Sequence, residues 1–257
     1  MKKKNNSLTL LLINARLIKM FGFEQWRKRP LKPSDIEKAY TNNPLTSENA
    51  KTVKGEKKGY KTFIQYFAPS KLSSYNVCSH ATKGCINSCL NTSGRGKFYM
   101  VTWARIRKTL AYMFDKKRYI SNLELHIEIE SLKAKHQGFI PVFRLNGTSD
   151  LNWLSTIAKF PNVQFYDYTK ILGMVKKNKL PNYDLTFSKS ETNDKEVKQA
   201  IKLTKVACVF RTLPDTYLGK KVIDGDNDDL RFTNKKNVII GLHAKGKAKK
   251  DKSGFVI

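Results

Sequence analysis

Three of the four cysteines in this chain fall within one stretch, Cys78-Ser-His-Ala-Thr-Lys-Gly-Cys85-Ile-Asn-Ser-Cys89, while Cys208 stands alone in an apolar run. Thiolates ligate soft metals, zinc among them, and hold iron in iron–sulfur clusters. Six residues separate the first pair and three the second, so the loop offers three ligands and no fourth cysteine. A structural zinc requires four ligands. His80 is the nearest candidate, but two residues from Cys78 it has an awkward reach. A [4Fe–4S] cluster with one open iron needs no fourth protein ligand, which favours the cluster and leaves zinc as the alternative. Just beyond lie Gly94-Arg95-Gly96-Lys97 and then a helical pattern from Tyr99. Backbone N–H groups at such a turn and helix start favour an anion.

A second set of polar residues follows apolar, strand-like runs. Ile140–Leu145 leads into Asn146, Ser149 and Asp150; Asn162–Tyr168 carries Asp167 and ends at Lys170; Tyr183–Phe187 ends at Ser188 and Glu191; Asn237–Ile240 ends at His243. Tyr60–Phe67 precedes the cysteine loop, and Val206–Phe210 and Lys221–Ile223 complete the series, the latter ending at Asp224 and Asp226. Helical patterns lie between: Tyr99–Lys117 and Ser121–His136 after the cysteine loop, then Trp153–Phe160 and Asp194–Leu203. Strand alternating with helix predicts an α/β fold with mostly parallel strands, here a partial (β/α) barrel. Barrel enzymes place their active sites at the C-terminal ends of the strands. Asp at these positions also caps a following turn, the competing explanation for Asp150 above all. Residues 224–235 resemble a calcium loop, but Asp229 stands where glycine is needed and Lys235 where glutamate is, which excludes it. Arg144 and Arg211, in or at the end of strands, call for anionic partners.

Residues 1–58 have a different texture and are expected as a basic, partly helical extension of the domain at 59–257. Leu10, Leu11, Leu12, Leu17 and Ile18 suggest a short amphipathic helix, Ser34-Asp-Ile-Glu37 a capping box, and Lys51–Lys58 a solvated connector. Asn14 and Arg16 interrupt the only run resembling a secretory leader, and no run is long enough to span a bilayer. A cytoplasmic protein with reduced cysteines and no membrane association is expected. The 49 Lys and Arg against 21 Asp and Glu give a net charge of +28. That excess points to nucleic acid as the partner, although a lysine- and asparagine-rich lineage would also raise it. No nucleophile elbow, Walker loop or dinucleotide fingerprint is present.

Taken in order, Cys78-x6-Cys85-x3-Cys89 with Thr92-Ser-Gly-Arg-Gly96, Arg144-Leu-Asn-Gly-Thr-Ser-Asp150, Phe165-Tyr-Asp-Tyr-Thr-Lys170, Thr186-Phe-Ser-Lys-Ser-Glu191 and Gly241-Leu-His-Ala-Lys245 resemble the phage gene-product-88 family. That family is similar to three-cysteine proteins related to radical S-adenosylmethionine (SAM) enzymes. The resemblance implies Cys78, Cys85 and Cys89 as metal ligands. It implies Asp150, Asp167 and Lys170 as catalytic groups, and Asn146, Ser149, Ser188, Glu191 and His243 as cofactor-binding groups. It further implies SAM bound at the open iron and radical modification of a nucleotide or nucleic acid. Both cysteine gaps are longer than the C-x3-C-x2-C of radical SAM enzymes. The other reading is a nucleic-acid-binding, replication-associated protein whose cysteines hold zinc.

Overall fold

The computed structural model of the protein describes residues 2–47 and 52–257. Its frame is one nine-stranded sheet in the order β1-β2-β3-β4-β5-β6-β9-β8-β7. The strands are β1 (Leu45–Thr46), β2 (Tyr60–Gln65), β3 (Ile140–Arg144), β4 (Gln164–Thr169), β5 (Tyr183–Ser188), β6 (Val206–Phe210), β7 (Thr216–Tyr217), β8 (Lys220–Asp224) and β9 (Ile239–His243). Every pairing from β2 to β8 is parallel; only the two-residue edge strands β1 and β7 run antiparallel. The fold is α/β with a mostly parallel sheet, as expected, and the sheet is open: its first and last strands do not meet.

From β2 to β6 the strand order advances one place at a time. Right-handed crossovers in a sheet that never reverses set all connecting helices on one face. These are α6 (Tyr99–Phe114) and α7 (Lys116–His136) between β2 and β3, α8 (Leu154–Ile157), α9 (Leu172–Lys177) and α10 (Asp194–Ala200). One long helix pair breaks at Asp115, whose side chain accepts from the Arg118 N–H and so starts α7. Alternate residues of each strand meet this layer. Phe63, Phe143, Phe165 and Leu185 join Ile106, Leu110, Leu123 and Ile127 in one core, and Cys208 sits with Phe187, Val197 and Val206 in a second.

The opposite face carries a different population. Val142 and Tyr166 pack against Leu230, with Tyr60 and Phe232 beside them. Lys205, 1% exposed, pairs with Asp184 at 2.6 Å, and Arg144 pairs with Asp229 at 3.0 Å. The segment between β8 and β9 therefore fills this face, placing Asp229, Leu230 and Phe232 where helices are absent. A parallel sheet has to be covered on both sides, and here a loop does the second.

The amino-terminal part forms α1 (Lys2–Phe21), α2 (Phe23–Lys28), α3 (Pro33–Glu37) and α4 (Thr52–Glu56). Leu10, Ile13 and Leu17 of α1 are buried in the same core as Trp103 and Ile106. Arg16 donates to the Lys71 and Leu72 carbonyls, Tyr99 to that of Arg29, and Tyr40 to that of Ala111. The helix expected to open at Ser34 begins instead at Pro33, with the Lys32 N–H held by Asp35 at 2.9 Å. Of the expected connector at Lys51–Lys58, Lys51 lies outside the described residues and Thr52–Glu56 is helical. Its Gly55 is seated against Leu230. Among the described residues no helix is long and apolar enough to cross a membrane.

Truncating Leu17, wholly buried, should remove about 2–5 kcal/mol from the stability of the whole chain. A Leu17→Ala variant should therefore unfold in urea in a single transition at a lower midpoint. An unchanged main transition with a separate early one would show residues 1–58 to be an appendage.

Candidate functional site

The parallel strands end together on one rim, and the cysteine loop lies over it. Between them is a cavity of about 320 Å³ lined by Cys78, Cys85 and Cys89 together with Asn146, Ser149, Asp150, Lys170, Ser188 and His243.

Cys78 is placed by the turn after β3. The Asp150 N–H donates to the Val77 carbonyl, the Ser70 N–H points at the Cys78 sulfur at 3.4 Å, and that sulfur lies 3.6 Å from the Thr148 carbonyl. The turn itself is stapled by Asn146. Its Oδ1 accepts from Ser149 Oγ, the Leu151 N–H and Trp153 Nε1, and its amide donates to the Leu151 carbonyl. The side chains of Asn146 and Ser149 thus build the turn that borders the cavity. Gly147 lets that turn close on β2, for a Cβ there would stand 2.6–2.7 Å from Tyr66, Gln65 and Ile64.

Cys85 lies on the short α5 (Lys83–Asn87), and Cys89 follows it. The Thr82 hydroxyl accepts from the Cys85 N–H, and Glu191, from beyond β5, takes the Thr82 hydroxyl at 2.7 Å and the Gly84 N–H at 2.6 Å. Glu191 thus positions the thiol loop. Any side chain at residue 84 would strike Glu191 or Ser253.

Burial pushes the Cys78 thiol up to about 12 and raises that of Cys89, with the neighbouring thiols adding to both. Among the described residues only Asp224, Asp226 and His243 bring three potential ligand atoms within 4.8 Å of one another. The three sulfurs do not close to that distance as a trio. Tetrahedral zinc with bonds of about 2.3 Å would need sulfurs about 3.8 Å apart. A four-iron cluster spaces them wider, because each sulfur takes a different iron. The three thiols are therefore not gathered tightly enough for a single tetrahedral ion as they stand. The Asp224, Asp226 and His243 group sits on the rim with Lys245 paired to Asp226 at 2.8 Å, so a cation is already present there.

Asp150 accepts the Lys170 N–H at 2.8 Å through one oxygen; its other oxygen, Oδ1, is buried with no hydrogen-bond partner among the described residues. Burial raises its carboxyl, opposed by the Lys170 N–H, the Thr169 hydroxyl and the Lys170 ammonium. Asp167 is not at the cavity. It belongs to the helix face of β4, accepting from the Asn146 N–H at 2.7 Å and the Tyr183 hydroxyl at 3.1 Å, fully buried. Its role here is to hold the Asn146 turn from behind. Arg144 finds the anion it called for in Asp229, which also accepts from Tyr166. Burial alone would lower its basicity, but Asp229 and the surrounding tyrosines raise it. Among the described residues Arg211 meets no acid; it donates to the Lys249 and Asp251 carbonyls and so fixes the carboxy-terminal segment. Tyr66, Tyr168, Lys189 and Phe255 line the cavity without having been singled out. For Tyr168 the signal was present: it shares strand parity with Tyr166, one face over from Asp167.

Burial lifts the Asp167 carboxyl from 3.8 to about 7. A carboxyl raised on folding favours the folded state while protonated, and that contribution is lost as pH rises from about 4 through about 7. Asp167→Asn should therefore flatten the fall in urea midpoint between those pH values. An equal slope in parent and variant would show that the buried charge is fully met by its two donors.

No curated protein and no solved structure matches the chain. Residues 41–257 match the family model described as gene product 88. The match takes in every strand of the sheet, the cysteine loop and the rim that closes the cavity, so the chain belongs to the gene product 88 family of phage proteins.

Proposed function

We propose that Cys78, Cys85 and Cys89 hold a [4Fe–4S] cluster with one open iron, and that the cavity beneath it acts on a nucleotide or nucleic acid by radical SAM-type chemistry. The observation that carries this reading is that three thiols of one loop and the polar ends of parallel strands border the same cavity. The loop offers three thiols and no fourth cysteine, which suits a cluster with one open iron better than a four-coordinate structural zinc. The advance of the parallel strands one place at a time from β2 to β6, with their crossover helices on one face, is compatible with part of a (β/α) barrel. When bound, such a cluster supplies an electron to a ligand at its open iron.

The remaining groups bind and orient. The unpartnered Asp150 oxygen and the Lys170 ammonium offer opposite charges, the pair that an amino-acid headgroup such as that of SAM requires. Ser188 and His243 border the side away from the turn at Asn146 and are the further cofactor contacts. Glu191 keeps the thiol loop in register, and the loop with the carboxy-terminal segment limits water. Reduced thiols of this kind belong in the cytoplasm of a cell.

Anaerobic reconstitution with ferrous iron and sulfide should give about four irons per chain and visible absorption. Serine at 78, 85 or 89 should abolish both, whereas Cys208→Ser should retain them. Asp150→Asn and Lys170→Ala should keep the iron and weaken SAM binding about tenfold or more. One tightly held zinc per chain, with no iron taken up after its removal, would overturn the cluster.

A further inference from the structure

From Lys57 to Phe114 the sequence contains no Asp or Glu. A lysine-rich lineage raises cations everywhere but leaves acids between them, as in α10, where Asp194, Lys195, Glu196 and Lys198 alternate. The acid-free stretch includes the cysteine loop and the Gly94–Lys97 turn. The fold brings a second basic segment against it. At Gly246, φ +55°, the backbone approaches so closely that a Cβ would lie 2.6 Å from that of Ser93. Arg95 and Lys97 on one side, and Lys247, Lys249 and Lys250 on the other, are exposed and form no ion pair among the described residues. This rim is built, not trailing: Arg211 holds the Lys249 and Asp251 carbonyls, and Asp251 in turn accepts from Ser253 and Val256.

Beneath the rim the cavity is walled by Tyr66, Tyr168 and Phe255, and Arg144 leaves its Nε buried without a partner. Aromatic walls and an unpaired donor suit a planar base with acceptors on its edge. A base in a duplex reaches a recessed cavity only by flipping out, at a cost of a few kcal/mol in lost stacking and pairing; one on a single strand enters without that cost.

We propose that a single-stranded nucleic acid lies across the mouth on this cationic rim and inserts one base into the cavity. The inference rests on the nucleotide reading above and adds the strandedness and path of the substrate. Five phosphate contacts at about −0.7 each give a salt slope of about −3.5, a loss of about 100-fold in affinity between about 50 and about 200 mM salt.

The test uses the full chain and a labelled single-stranded DNA carrying one 2-aminopurine, with thermal melting to confirm that each variant is folded. Binding should show that slope, exceed binding of the matching duplex, and change 2-aminopurine fluorescence as the base leaves its neighbours. The combined changes Lys247→Glu, Lys249→Glu and Lys250→Glu should weaken binding at least tenfold. The same reversal at the exposed Lys195, Lys198 and Lys202 should change it less than threefold. Phe255→Ala should reduce the fluorescence change while leaving most of the affinity. Equal weakening by both triple variants, tighter binding of the duplex, or binding with no 2-aminopurine response would overturn the proposal. So would binding only to anionic lipid vesicles. Iron content is read in the same preparations: loss of DNA binding with iron retained defeats the strand path alone, and absence of iron with binding retained defeats the cluster alone.

Discussion

A parallel sheet has to be covered on both faces, and in this protein the crossover helices between β2 and β6 all fall on one. The rest of the structure follows from how the other face is closed. Its lower part is filled by the β8–β9 segment, pinned where Arg144 meets Asp229 and where Asp229 meets Tyr166. Removing one partner of a buried charge pair leaves the other unmet, at a cost of about 3–5 kcal/mol, so this pin is hard to lose singly. The upper part is roofed by the cysteine loop and the carboxy-terminal segment. The cavity is the space left between plug and roof.

That arrangement explains why side chains of the same type have unlike duties. Asp229 and Asp167 stand on opposite faces of the sheet, one closing the plug and the other bracing the turn after β3. Asp150 keeps a buried oxygen without a hydrogen-bond partner among the described residues, at the place where the thiol loop meets the strand ends. Glu191 spends its carboxylate on the loop that carries two of the cysteines. Arg144 fastens the plug, whereas Arg211 fastens the roof.

Much of the frame was legible because buried parallel strands read as compact apolar runs; Val206–Phe210 and Tyr183–Ser188 were found nearly to the residue. Helix α9 was missed, since Leu172–Lys177 is too short to show helical periodicity. Residues 1–58 read as an extension because prolines and polar residues dilute their pattern; within them Ile13, Leu17 and Ile36 are buried in the main core. Asp167 illustrates a limit of reading strand ends as one group. It sits inside the strand, and the two-residue period turns it away from the rim on which Lys170 lies. Asn146 and Ser149 line the cavity and Glu191 holds the thiol loop, but which hydrogen bonds occupy them depends on contacts distant in sequence. The plug was hidden for the same reason: Asp229 and Arg144 are neighbours only in the folded chain.

In the proposed centre three irons are held by the thiols of one loop and the fourth faces the cavity. Mössbauer spectroscopy of the chain reconstituted with isotopically enriched iron tests it most directly. The expected spectrum is that of a cluster in which three irons share one environment and the fourth is distinct, with only that fourth site shifting when SAM is added. Four equivalent irons, or a spectrum that SAM leaves unchanged, would contradict it.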